Sequence, residues 1–200
     1  MKFLTLIFYA LSLVFTMGIG QSYAQELITF GPQETKIEGE IPYSVIGKYK
    51  AQFRAFNGRI TFGEKSLAVQ SVYLKIEVRS IVSNCSWCDK IARSRRLLNA
   101  RRYPDIIFKG YKIIHDDNGF KVKGVLEMHG VRKTMIFPFH VEIIDEQKIK
   151  KKLLVLHGSW VINRKVFNII WNKYLDHGGI LVGDYFTVNW GIKVCLNVRY

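Results

Sequence analysis

Cysteine, proline and acid are all scarce in this chain. Three cysteines cannot staple two hundred residues, which excludes a disulfide-scaffolded fold. Four prolines exclude collagen-like repeats, and a composition 48% hydrophobic and 14% aromatic excludes a disordered chain. Sixteen Asp+Glu stand against thirty Lys+Arg, a formal net charge of +14. Such a surface favours anionic partners: nucleic acid, lipid headgroups or an acidic protein. The sequence shows no nucleophile–His–acid spacing, phosphate-cradling glycine loop or local cluster of metal ligands. No catalytic residue, metal or catalytic cofactor is therefore read from it.

What is present begins with a leader. Lys2 precedes an uncharged stretch from Phe3 to Gly20, rich in Leu, Ile and Phe, and Ser22-Tyr23-Ala24 supplies a small-x-small site. One cation, an apolar core and such a site are the pattern of a secretory signal peptide, residues 1–24, cut after Ala24. The stretch is just long enough to span a bilayer as an anchor. Gly18 and Gly20 weaken that alternative, and no cationic stop-transfer cluster follows. Export to the periplasm or beyond leaves residues 25–200 as one domain. It also removes nucleic acid from the partners to consider, and leaves a membrane surface, an anionic ligand or solubility to account for the charge.

The dominant period of the mature chain is two. Phe120, Val122, Val125, Leu126 and Met128 share a run with Lys121, Lys123 and Glu127, which predicts a strand with one buried and one wet face. Val72, Leu74, Ile76 and Val78 repeat the pattern, as do Met135, Phe137, Phe139, Val141 and Ile143, then Leu154, Leu156, Trp160 and Ile162. Phe186, Val188, Trp190, Ile192, Val194 and Leu196 close the series. Asp116-Asp117-Asn118-Gly119 is a hairpin signal, because Asn-Gly tolerates the positive φ of a tight turn. The reading gives eight strands, near 36–47, 50–63, 67–79, 105–115, 119–129, 133–145, 152–163 and 183–198. Two segments break the alternation. Residues 84–103 read as a helix, with a capping box at Ser86-x-x-Asp89, a sparse apolar face of Ile91, Leu97 and Leu98, and Pro104 as its stop. Residues 164–182 read as a long loop before the last strand. The fold expected is all-β: an eight-stranded antiparallel barrel, whose interior can hold one small ligand.

Several ordered motifs carry a resemblance. Tyr103-Pro104-Asp105-Ile106-Ile107-Phe108 follows the crossover, and Gly124 to Lys133 holds His129-Gly130-Val131. Asn163-Arg164-Lys165-Val166-Phe167 precedes Val182-Gly183-Asp184, and Phe53 to Ile60 lies upstream. Together these resemble the polyisoprenoid-binding YceI-like family over roughly residues 40–196. The resemblance implies a secreted bacterial protein with a lipocalin-like barrel around a long apolar cavity. It implies binding or carriage of an isoprenoid-type lipid, such as a polyprenyl phosphate or a quinone, and not catalysis.

Candidate site residues follow. Phe108, Phe120, Met128, Met135, Phe137, Phe139, Trp160, Phe186 and Trp190 form an inward apolar set. Periodicity alone reads them as a packed core; the resemblance reads them as the wall of a tunnel. Gly124 and Gly158 on the same faces would leave room inside. Arg164, beside the long loop, is a headgroup candidate. His129 and Asp184 lie in the matched motifs, and turn polar groups of that kind commonly bond their own backbone. Arg93, Arg95, Arg96, Arg101 and Arg102 could meet an anionic membrane surface through bidentate phosphate contacts, or form a solvated face.

Cys85-Ser86-Trp87-Cys88 is the sharpest alternative. A C-x-x-C at a helix N-terminus is the arrangement of thiol–disulfide redox proteins. Asp89 stands where a c-type haem would need a His, and no thioredoxin-like βαβ pattern surrounds the motif. An oxidising compartment favours a structural Cys85–Cys88 disulfide, with pairing of either to Cys195 left open. A third reading is a barrel with a filled core that acts as an interaction module on anionic surfaces.

Overall fold

The computed structural model describes residues 26–33, 35–62, 69–117, 119–146, 151–173 and 181–196. The signal peptide expected over residues 1–24 lies outside the described residues.

Eleven strands, one α-helix and two short 3-10 turns, Val78–Ser80 and Arg164–Phe167, are present among them. In chain order the strands and helix are β1 (Glu26–Phe30), β2 (Thr35–Tyr43), β3 (Gly47–Phe53), β4 (Phe56–Phe62), β5 (Val69–Glu77), β6 (Ile81–Val82), α1 (Ser86–Arg93), β7 (Asp105–Asp116), β8 (Gly119–Met128), β9 (Val131–Glu146), β10 (Lys151–Asn163) and β11 (Tyr185–Leu196). All pair antiparallel in the spatial order β1-β4-β5-β7-β8-β9-β10-β11-β2-β3-β6. β5 is third in that order and β6 is last, yet only the 3-10 turn Val78–Ser80 separates them in the chain. A flat sheet cannot satisfy that connection. The sheet curls into a half-barrel that brings its two ends together, and the Arg54 N–H donates to the Ser80 carbonyl at the meeting corner (3.2 Å). β9 spans the curl: residues 131–139 pair with β8 and residues 140–146 pair with β10.

Eleven strands replace the eight expected. The run read as one strand over 50–63 is two, because the inward parity flips within it. Tyr49 and Ala51 are buried on β3, whereas Phe56, Ile60 and Phe62 are buried on β4. Arg54 and Ala55 form the corner at which the chain turns its other face inward. β1 and β6 are too short for an alternating pattern to show. Ile143, expected on the buried face of β9, is 55% exposed, because β9 runs past the core at its C-terminal end.

The helix is shorter than its expected 84–103. It ends at Ser94, whose backbone is extended and whose N–H (3.0 Å) and Oγ–H (2.7 Å) both donate to the Ile91 carbonyl. A serine that bonds the backbone locally offers it an alternative to the helix. Hydrogen-bonded turns carry the chain on to Tyr103. The expected capping box is also displaced. The cap is Cys85, whose Sγ accepts the Cys88 N–H (3.2 Å). Asp89 instead accepts from the Tyr49 hydroxyl (2.7 Å), the Ser83 hydroxyl (2.6 Å) and the Ser83 N–H (3.0 Å). Burial raises the Asp89 pKa, but these bonds and nearby Arg93 outweigh it and hold the carboxyl below its ordinary value.

The main core fills the curl, with Ile60, Phe62, Phe108, Met128, Leu154 and Phe167 nearly or fully inaccessible. A second cluster of Tyr43, Tyr49, Ile81, Cys88, Ala92 and Val182 seats α1 across one end.

Candidate ligand cavity

An internal cavity of about 200 Å³ runs through the main core towards α1. Every strand pairing that builds it places its apolar residues on the same inner face. The register Leu156↔Ile192 and Trp160↔Val188 aligns β10 with β11, and Phe108↔Leu126 aligns β7 with β8. All of these residues line the space. Its lining includes two charged residues, Glu40 and Arg164. The Glu40 carboxylate pairs with Lys48 and Lys50, which hold its pKa below the ordinary value. The interior therefore offers mainly dispersion contact; both charged groups on its wall are engaged, while Thr35 Oγ1 and Trp190 Nε1 are buried on the lining with no hydrogen-bond partner among the described residues.

Of the inward set expected from sequence, Phe108, Met128, Phe139, Trp160, Phe186 and Trp190 line the cavity. Phe120, Met135 and Phe137 do not; they pack behind the wall. Phe137 stacks under Trp160, with centroids 4.1 Å apart at 8°. Phe120 sits between His115 (4.4 Å) and Phe139 (5.6 Å), and Met135 packs on the core half-buried. The room expected at the two glycines is taken. A Cβ on Gly124 would lie 2.7 Å from the Phe108 ring, and one on Gly158 would lie 3.0 Å from the Trp190 indole. Both glycines admit a ring of the wall, not a ligand.

Residues from outside that set share the lining. Tyr49 and Ala51 come from β3, Ile81 from β6, and Ala92, Leu97 and Leu98 from α1 and the turns after it. The period-two pattern of β3 held the first two. Leu97 and Leu98 belong to the apolar face of the expected helix but lie in the turns beyond its end. Nothing local marked Ile81 or Ala92, whose places depend on the curl.

Arg164 is 2% exposed, and its donors are spent on the loop around it. Nε–H donates to the Gly183 carbonyl (2.8 Å), Nη1 to the carbonyls of Ile169 and Trp171, and Nη2 to that of Val182 (3.3 Å). Asp184 lies 3.7 Å from Nη2. Burial lowers the Arg164 pKa, with Asp184 opposing. The expected free headgroup contact is thus a strut that closes the barrel end. Asp184 serves the same strut and pairs with Lys165 (2.7 Å). His129 sits at φ +52° in the β8–β9 turn and donates Nδ1–H to the Phe167 carbonyl (3.1 Å).

The arginine segment divides. Arg93 is half-buried and donates to the carbonyls of Arg79 (3.3 Å) and Ile81 (3.2 Å), so it is not available to a membrane surface. Arg95, Arg96, Arg101 and Arg102 are exposed. Arg96 lies over the Trp171 ring and Arg102 over Tyr103. A disulfide joins Cys85 to Cys88 across the first turn of α1. The Cys195 side chain lies outside what is described.

The YceI-like domain matches residues 29–194 of this sequence. The chain belongs to the YceI-like family. A UPF0312 protein of Vibrio cholerae is 26% identical over 133 residues, 66% of this chain and 70% of the relative. One of Yersinia enterocolitica is 30% identical over 124 residues, 62% and 64% of the two chains. Among solved structures, Burkholderia cenocepacia BcnA superposes with a TM-score of 0.67 at 19% identity, covering 81% of this chain and 97% of its own. A polyisoprenoid binding domain from Saccharophagus degradans gives 0.61 at 9% identity, covering 85% and 98%. At such identities the likeness establishes the shared half-barrel.

Proposed function

We propose that this YceI-like protein binds or carries an isoprenoid-type lipid in its cavity, in the periplasm or outside the cell, and catalyses no reaction. The observation that carries the reading is the apolar cavity, set in the same fold as a domain that binds polyisoprenoid. Each buried CH₂ contributes about 0.8 kcal/mol, so a long tail gains affinity without polar anchors. With Glu40 and Arg164 both engaged, a polyprenyl phosphate would leave its charge outside while a quinone ring could follow the tail inward. The cavity is smaller than the roughly 300–1,000 Å³ of pockets for drug-sized ligands. Unbranched Met128 on its wall can take other rotamers, which is the movement a longer tail needs. Basic groups at the α1 end, Arg95, Arg96, Arg101 and Arg102, face the donor membrane in this reading.

Titration with a prenylated quinone and with a polyprenyl phosphate tests it. Trp160 and Trp190 line the cavity, so entry of a quinone ring or tail changes their fluorescence saturably. A flat response to both, with no competition between them, removes the reading.

A further inference from the structure

The barrel end that carries α1 also gathers three turns. The Ser44 N–H donates to the Leu181 carbonyl (3.0 Å) and the Gly183 N–H to the Pro42 carbonyl (2.9 Å), which ties the β2–β3 turn to the start of β11. Arg164 binds residues 169, 171, 182 and 183 to the end of β10. His129 ties the β8–β9 turn to Phe167, and Arg96 over Trp171 ties in the segment after α1.

Large apolar side chains stand out from this one end. Val45 is 69% exposed and Ile46 49% in the β2–β3 turn, Ile170 is 71% exposed after β10, and Trp87 is 60% exposed on α1. Single exposed apolar residues need no explanation. Four on three separate segments, all at the same end, are a patch. Of the acids there, Asp89 is held by Tyr49 and Ser83, Asp184 pairs through Oδ2 with Lys165, and Glu40 pairs with Lys48 and Lys50, while Glu77 at the β5 corner is exposed. Arg95, Arg96, Arg101, Arg102 and Lys173 are exposed and form no ion pair with any described residue.

We infer that this end docks on an anionic lipid bilayer, with Val45, Ile46, Ile170 and Trp87 in the headgroup–acyl boundary and the cations on lipid phosphates. A bilayer conforms to apolar tips dispersed over separate turns, and its negative surface attracts the ring of cations. An indole suits that depth. A second copy of the chain would bring the same unneutralised cations face to face, and nucleic acid offers nothing to the tips. The inference extends the arginine contact proposed above by naming the surface that inserts. It places α1, which forms part of the cavity wall, against the membrane.

Sedimentation of the mature protein with vesicles, without added ligand, tests docking separately from cavity binding. Binding to phosphatidylglycerol vesicles but not to phosphatidylcholine vesicles is expected, and it weakens with salt. The Val45→Ser/Ile170→Ser variant loses about tenfold in vesicle affinity. The Arg95→Gln/Arg101→Gln variant loses a similar factor at low salt and little at high salt. All four side chains are exposed, so both variants keep the fold. Equal binding to the two vesicle types, or both variants binding as the parent does, overturns the inference. Docking without any response to quinone or polyprenyl phosphate overturns the cavity reading alone.

Discussion

Arg164 shows how much of the barrel end hangs on one side chain. Four carbonyls from two stretches of chain, 169–171 and 182–183, converge on its guanidinium. Removing it strands buried acceptors, each costing about 1–3 kcal/mol. Arg164→Met is therefore expected to lower stability by about 3 kcal/mol or more, seen as a shift in the urea midpoint. Arg164→Lys should recover little, since one ammonium cannot reproduce the planar fork. Gly124 is a second such residue. Its Cβ would lie 2.5 Å from the Lys109 carbonyl oxygen, so Gly124→Ala must shift β8 against β7. The expected cost is about 1–3 kcal/mol in the same denaturation experiment.

His129 gives the residue scale a pH dependence. Burial depresses its pKa, the bond to the Phe167 carbonyl opposes this, and Arg102 adds to the depression. The folded state then binds the proton more weakly than the unfolded chain. The stability this contributes is present above the ordinary histidine pKa of about 6.5, and it is lost as pH falls through the depressed folded value. Urea midpoints should drop between about pH 7.5 and about pH 5.5. The drop should be smaller in His129→Asn, which tolerates the positive φ. An equal drop in both proteins would assign the dependence to other groups.

Among the elements, the strands with a clean period of two were legible and their inner faces followed. β8 and β10 bury most of the residues that alternation marks, and on β11 Phe186, Val188 and Trp190 are half-buried while Ile192 is buried. The β3–β4 corner was missed in the expected single strand over 50–63, because a run of alternating residues hides the change from odd to even inward positions at Arg54-Ala55 unless each register is followed separately. The early end of α1 rests on Ser94 bonding its own backbone, a local competition that helix periodicity does not report. The ring contacts over Gly124 and Gly158 were not legible, because they depend on neighbours brought by pairing. Leu98 joins the element to the site: it follows α1, is half-buried, and lines the cavity. Leu98→Trp should fill part of that space and weaken lipid binding by about tenfold or more while the circular dichroism of the sheet is retained.

At the scale of the whole molecule, charge and apolar space are segregated. The interior is an apolar channel whose two charged wall residues are already engaged, while the excess of cations lies outside, with a group of them ringing the α1 end. On the proposed function that arrangement separates two tasks: desolvating a tail inside, and meeting an anionic surface outside. The Cys85–Cys88 disulfide fastens the first turn of α1, the element that lies across the cavity. A Cys85→Ser/Cys88→Ser variant should still bind lipid, and loss of all function in it would favour the redox reading. The most direct measurement is mass spectrometry of the natively purified protein, run intact and after organic extraction. The account predicts a bound mass that extraction releases as an isoprenoid lipid and that Leu98→Trp diminishes. An empty protein that also fails to take up added isoprenoid would contradict it.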